Sequence, residues 1–181
     1  MYELEKEKYL GNTKNSFDTA QGIAVVETEY QNKVYEGWHS HNNAHITLFL
    51  KGGTTEKRKN SSETVGSGSL LFYHSDELHL NQDTLFPSRN INIEIEDGLL
   101  KELQIDEALI EKSIQNSAFT KFLILKIFKE IADILELDLT LEIEAIKEGG
   151  IREFFKVLNT RFLSEIIEKS FIFRKLIFLH I

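Results

Sequence analysis

Gly37-Trp38-His39-Ser40-His41-Asn42-Asn43-Ala44-His45-Ile46-Thr47-Leu48-Phe49-Leu50-Lys51-Gly52 is the stretch that decides how this chain is read. It holds three of the six histidines, at positions 39, 41 and 45. Successive side chains of a strand point to opposite faces, so His39 and His41 share one face. Asn42-Asn43 predicts a tight turn, because Asn tolerates left-handed backbone. His45 then opens the next strand, beside the first pair. A fourth histidine, His79, ends a second turn-rich stretch, Gly68-Ser69-Leu70-Leu71-Phe72-Tyr73-His74-Ser75-Asp76-Glu77-Leu78-His79. Imidazoles gathered in this way suit two roles. They ligate zinc, copper, iron or nickel, or they line a polar pocket for a small molecule.

Outward from that stretch the chain reads as short strands broken by turns. Residues 1–20 are polar and predict a loose lead-in. Strands are expected over Gly22 to Tyr30, Val34 to His41 and Ala44 to Leu50, with Gly52-Gly53 as a turn. Thr54 to Lys59 carries charge on both faces and predicts a solvated edge strand. Glu63 to Val65, Ser69 to Tyr73 and Glu77 to Asn81 are further strands, and Asp83 to Ser88, with the single proline Pro87, is a loop. Asn90 to Glu96 alternates with apolar residues on odd positions, which predicts a half-buried strand. About eight such strands point to a sandwich or barrel.

After Asp97-Gly98 the pattern becomes helical. Leu103 to Ile114 is one helix; Ser117 caps a second, marked by Phe122, Leu123, Ile127, Ile131 and Ile134. A third begins near Leu139 and bends at Gly149-Gly150, with Phe154, Phe155, Leu158, Phe162, Ile166 and Ile167 on one face. These stripes need a cover, either the barrel or a second copy of the chain. Residues 171–181 are apolar on almost every side and fit no single amphipathic helix.

With 181 residues, 41% hydrophobic and 28% charged, the chain has enough for one domain and a small appendage. A net charge of −8 does not suit a nucleic-acid surface, and Lys57-Arg58-Lys59 reads as a solvated face. The absence of cysteine rules out disulfides, thiolate metal sites and Cys nucleophiles. There is no nucleophile elbow and no phosphate loop. Met1 to Leu10 carries no apolar run, and no stretch reaches the roughly 18 apolar residues of a membrane span. A cytoplasmic location without membrane contact is the expectation.

The two histidine stretches resemble the motifs of the cupin family. His39, His41, position 45 and Gly52 follow the first motif; Gly68, positions 74 and 76, His79 and position 83 follow the second. The departures are His45 where the family has an acidic residue, His74 for a Pro, Asp76 for a Gly and Asp83 for an Asn. Trp38-His39-Ser40-His41, the strand ending Lys51-Gly52-Gly53, and Gly68-Ser69-Leu70-Leu71-Phe72-Tyr73 are similar to the sensor domain of AraC-type transcription regulators, over residues 20–158. The resemblance implies a cupin-like (jelly-roll) β-barrel over 20–97, followed by a helical dimerisation region over 98–181. It implies a homodimer that senses a small-molecule effector, and it lacks a helix-turn-helix module of its own. No direct binding of nucleic acid by this chain is expected.

The candidate metal ligands are His39, His41, His45 and His79, which would hold one divalent ion, Zn, Ni, Fe or Mn, with no ligand charge. The alternative is a barrel lined by hydrogen-bonding histidines and no metal. Candidate ligand-binding residues are these four with Thr47 and Phe49, which share parity with His45, and Tyr73, which offers a hydroxyl. Trp38 either stacks on a ligand or packs in the core. His74 and His180 read as a turn residue and a tail residue. No catalytic residue is assigned. The alternative to a sensor is a small metal-dependent cupin enzyme, a dioxygenase or isomerase, in which Asp76 or Glu77 supplies the missing carboxylate ligand if the turn bends inward.

Overall fold

The computed structural model describes residues 2–18 and 22–114, and beyond them 118, 120–122, 124–126 and 128–129. Two compact units divide the chain, Met1–Ile124 and Leu125–Ile181, and the strands and the site belong to the first. In chain order the strands are β1 (Tyr2–Leu4), β2 (Asn12–Asp18), β3 (Ile23–Tyr30), β4 (His39–His41), β5 (Ala44–Arg58), β6 (Ser62–Gly66), β7 (Leu70–Tyr73) and β8 (His79–Ile95). Helices α1 (Asp97–Leu103) and α2 (Glu107–Ile114) follow. Among the described residues the result is a strand-rich, curled sheet with few helices, consistent with the cupin-like sheet expected over 20–97.

Two long strands organise it. β5 and β8 run antiparallel, with Ala44–Phe49 against Asn90–Ile95 and Thr55–Arg58 against His79–Gln82. Between these halves the register slips three times, from Phe49 to Thr55. Slips of this kind bend a strand and strengthen its twist, which is how a sheet curls. The remaining strands attach along this pair: β3 on β8, β2 on β3, β6 and β7 on β5, and β4 with β1 at the start of β8.

The turn expected at Gly52-Gly53 is therefore a bulge inside one strand of 15 residues. Gly52 has φ +79°, and a Cβ there would lie 2.7 Å from the Leu85 carbonyl and 2.6 Å from the Ser88 Cβ. Glycine is needed for close backbone approach, not for chain reversal. The loop expected at Asp83 to Ser88 is likewise part of β8. Residues 86–88 fall between the paired positions Leu85 and Arg89, so Pro87 withholds no N–H from β5.

The loose lead-in is also corrected. β1 pairs in parallel with β4, and β2 pairs antiparallel with β3. β2 is exposed except at Phe17, so backbone pairing holds it and no apolar period announces it. The strand expected over Val34 to His41 shrinks to His39–His41, the three residues that pair with β1. The helix expected at Leu103 to Ile114 is two helices. Gln104 turns left-handed at φ 56° and its N–H caps α1 on Leu100 and Lys101. Asp106 then accepts from the Ala108 N–H at 2.7 Å and starts α2. The helices expected beyond Ser117, with their dimerisation stripes, and the apolar stretch 171–181 lie almost wholly outside the described residues. No described helix is long and apolar enough to cross a membrane.

The two faces of β8 set the core and the site apart. Ile91, Ile93 and Ile95 are buried with their cross-strand partners, Leu48 and Ile46 on β5 and Val25 on β3. The even face is buried too, although it carries Asn90, Asn92 and Glu94. Their partners on that face are Phe49, Thr47 and His45. The half-buried strand predicted from alternation is thus buried on both faces, and its polar face looks inward.

Candidate metal centre

β4 delivers His39 and His41 on one face, and His79, the first residue of β8, stands directly opposite His39. Directly opposed side chains in an antiparallel pair are neighbours. One ring nitrogen from each of the three lies within 4.8 Å of the others, and the residues are 2%, 4% and 2% exposed. The rings of His39 and His79 are 4.2 Å apart, and those of His41 and His79 lie nearly parallel at 5.6 Å.

Hydrogen bonds fix which nitrogen is free. His39 Nδ1 lies 3.0 Å from the Gly37 carbonyl, and His79 Nδ1 lies 2.9 Å from the Glu77 carbonyl. A carbonyl only accepts, so each Nδ1 carries the proton and each Nε2 keeps its lone pair. This is the arrangement that orients imidazole ligands on a metal. Burial pushes all the imidazoles toward the neutral form. It lowers the His39 pKa, and it brings His79 down to about 3, with the neighbouring histidines adding to the effect. His41 is lowered furthest, by burial and then by His45, His79 and His39. Three neutral, clustered imidazoles, two of them oriented by a backbone carbonyl, fit a divalent cation.

His45 was expected among the ligands but stands outside this trio. It enters from β5, opposite Tyr73 and Glu94 rather than opposite β4. Its ring is 4.4 Å from that of His41 and stacks on Tyr73 at 4.5 Å and 11°. Burial brings its pKa down to about 3. The carboxylates thought able to complete the set are also elsewhere. Glu77 accepts from Arg58 at 3.1 Å and from the His74 N–H at 3.2 Å.

Two of the trio, His39 and His41, line a cleft that opens to solvent, and His79 stands beside them in the cluster. Of the predicted ligand-binding residues, His39, His41, His45, Thr47, Phe49 and Tyr73 line it, and Trp38 and His79 do not. Trp38 is 41% exposed, so it serves neither the core nor the cleft. Thr47 donates to Asn92 at 2.8 Å, and the Tyr73 hydroxyl donates to Glu56 at 3.1 Å, away from the histidines.

Several contributors went unnoticed in the sequence. Tyr9, from the supposed lead-in, puts its ring 5.0 Å from that of His41. Glu94 holds its segment in place by accepting from the Glu7 N–H at 2.8 Å, and it also accepts from Asn43 at 3.0 Å. Asn90 and Asn92 line the cleft from the polar face of β8; the perfect alternation of that strand was their signal. Among the described residues of the lining, buried Asn90 Oδ1 has no hydrogen-bond partner, and buried Tyr9 Oη has only the Glu94 carboxylate beside it.

Two residues outside the predicted site, Arg58 and His74, are structural. Arg58, expected on a solvated face, donates to Glu77 and to the Phe72 carbonyl and lies 5.1 Å over the Tyr73 ring. His74, expected as a plain turn residue, bonds Glu107 at 2.8 Å and Glu111 at 3.2 Å, tying the turn before His79 to α2.

No family model matches the chain, and no curated protein does. Among solved structures, it is similar to the DMSP lyase DddQ from Ruegeria pomeroyi DSS-3, at 18% identity and TM-score 0.39 over 43% of this chain and 40% of that one. A cupin superfamily protein from Desulfitobacterium hafniense DCB-2 is similar at 8% identity and TM-score 0.40, over 46% of this chain and 75% of that one. A cupin-like protein from Thermotoga maritima is similar at 15% identity and TM-score 0.37, over 44% and 62%. The match thus spans less than half of the lyase's own length.

Proposed function

We propose that this chain is a small-molecule-binding barrel whose ligand site is centred on one divalent ion held by His39, His41 and His79. One observation carries the reading: three buried imidazoles converge within 4.8 Å at the edge of a cleft, two of them with Nδ1 committed to a backbone carbonyl. When bound, such an ion supplies a Lewis-acid centre with open coordination positions. The chain's own residues orient the ligand nitrogens, exclude bulk water from them and offer hydrogen-bonding groups along the cleft.

The use of that site as an effector sensor, drawn from the resemblance to AraC-type regulators, has one structural feature in its favour. The turn from His74 to His79 carries a candidate metal ligand at one end and a clamp on α2 at the other, made by His74 and by Ser75, whose hydroxyl donates to Glu107 at 2.5 Å. A change at the metal would reach α2 through five residues of chain. Homodimerisation through the C-terminal helices and a cytoplasmic setting belong to the same proposal. The enzymatic reading has the open metal in its favour and asks for a substrate that is turned over.

Metal content by mass spectrometry tests the common core. The untagged chain takes up about one equivalent, and the His41→Ala and His79→Ala variants lose it. A wild-type protein that stays metal-free after incubation with Fe, Ni and Zn defeats the proposal. If metal binds, a ligand that raises the melting temperature without being consumed supports the sensor, and a ligand that is converted supports the enzyme.

A further inference from the structure

We infer that the molecule taken by this cleft is a small hydroxylated monocarboxylate, of the sugar-acid class, with its one negative charge at the metal and its hydroxyl groups against Asn90 and Tyr9. The inference deepens the proposed metal site and rests on it.

The charge pattern of the walls sets the number of ionised groups on the ligand. Among the described residues, no Asp, Glu, Lys or Arg lines the cleft. Both nearby guanidinium groups are committed, Arg58 to Glu77 and the Phe72 carbonyl, and Arg89 to the buried Glu27. A divalent ion on three neutral imidazoles keeps its full positive charge, so the metal is the one strong anion site. A carboxylate placed there is matched. A second anionic group, as in a phosphorylated sugar, would sit against neutral walls with no partner, which is costly.

The polar atoms of the lining set the rest. Asn90 is 7% exposed, lines the cleft, and leaves its Oδ1 without a donor. A carboxylate oxygen cannot satisfy an amide oxygen, but a hydroxyl can. Tyr9 Oη, also buried, has the Glu94 carboxylate beside it as an acceptor for its proton and keeps lone pairs that can take a hydrogen bond from a hydroxyl. Neighbouring Asn92 is different: Thr47, the Val26 carbonyl and Thr28 already satisfy it, so it is scaffold. Buried polar groups left unpaired usually mark a place where something else completes them. The rings of Tyr30 and Phe49 add apolar wall for the carbon skeleton.

Titration calorimetry on the full chain tests this, with Zn-loaded and metal-free protein side by side. The probes are gluconate, glucuronate and threonate, against hexanoate (the charge without hydroxyls), sorbitol (hydroxyls without the charge) and glucose 6-phosphate (a second charge). At least one sugar acid is expected to bind the loaded protein about tenfold or more tighter than each control, and to lose about as much when the metal is removed. Tyr9→Phe and Asn90→Thr should narrow the preference over hexanoate while the zinc content stays at wild-type level. Tyr9→Phe removes one hydroxyl and keeps the inference testable if the other variant misfolds. Hexanoate or sorbitol binding as tightly as every sugar acid, or no sugar acid binding to zinc-loaded protein, overturns it. If zinc does not bind at all, the metal proposal itself has failed and this inference goes with it.

Discussion

His39 and His79 face each other across the β4–β8 pairing, and each has its Nδ1 on the carbonyl two residues earlier, just ahead of its strand. The same local geometry, repeated ahead of two strands, leaves both Nε2 atoms free beside His41. The arrangement also explains why these rings tolerate burial: each has one nitrogen satisfied, and the other is held ready for a cation.

Metal binding to the folded chain alone must stabilise it. A ligand present at a hundred times its dissociation constant adds about 2.7 kcal/mol, which in a protein of this size raises the melting temperature by roughly 5–10 °C. Adding Zn or Ni should produce that shift, and a chelator should reverse it. His79→Ala should show no shift with metal. His45→Gln should keep most of it, because His45 lies outside the trio. Equal loss of the shift in both variants would return His45 to the ligand set.

The clamp on α2 should be sensitive to pH. Partial burial works against a charge on His74, but Glu107 and Glu111 on α2 outweigh it and raise the pKa. Glu77 of the same turn contacts the His74 N–H, and Arg58 on β5 neutralises Glu77 from behind. A group whose pKa is raised by folding stabilises fully below its unfolded value, near 6.5, and loses that contribution as pH rises through the folded value. Urea melts of wild type and His74→Gln should therefore differ most near pH 6 and converge near pH 9. A gap that is constant across this range would mean that the contact is held by packing rather than by charge.

Much of this site was legible before any coordinates. The His-x-His pair names its own shared face, and the alternation of residues 90–96 places Asn90 and Asn92 together. The hidden parts are those made by backbone pairing and by distance along the chain. β2 has one partly buried side chain, Phe17, and so shows no period. Tyr9 reaches His41 only because Glu94, far along the sequence, grips the Glu7 N–H. Gly52-Gly53 looks like a turn because the same residue serves turns and close backbone approach, and only the packing of β5 against β8 distinguishes them. Trp38 lies just ahead of β4 and is exposed, a placement that composition does not reveal.

Glu56 should behave as a buried acid. It is 1% exposed, and burial pushes its pKa up to about 8 against the opposing pull of Arg58 and the Tyr73 hydroxyl. Arg58 Nε stands 3.8 Å from Glu56 Oε1, too far for a hydrogen bond, and both atoms are unpartnered. Folded chain holds this proton up to about pH 8, whereas unfolded chain releases it near pH 4.3. Stability is therefore lost as pH rises between those values. Glu56→Gln keeps the shape without the charge, so it should match wild type at low pH and exceed it above pH 8, by an amount on the order of a few kcal/mol at most. Denaturant titrations at pH 5 and pH 9 measure the difference. A glutamine variant that is less stable at both values would mean that Glu56 is ionised and paired with Arg58.

Gly52 offers the sharpest test of how the sheet bends. Its φ of +79° is a conformation that side chains disfavour, and a Cβ there would press on the Leu85 carbonyl and on Ser88. Those atoms belong to the stretch of β8 just before Arg89, where the β5–β8 register slips. Ser88 is itself fixed, since its hydroxyl donates to the Lys51 carbonyl at 2.9 Å. Neither neighbour can yield without breaking backbone pairing, so Gly52→Ala should cost about 2 kcal/mol or more. Gly68 is the control. It too has positive φ, at +84°, but a Cβ there meets nothing within 4 Å. Gly68→Ala should therefore cost only the backbone term, roughly 1 kcal/mol. Equilibrium unfolding of the two variants separates the effects. Equal losses would mean that strain in φ alone, and not the approach of β8 to β5, demands glycine at the bend.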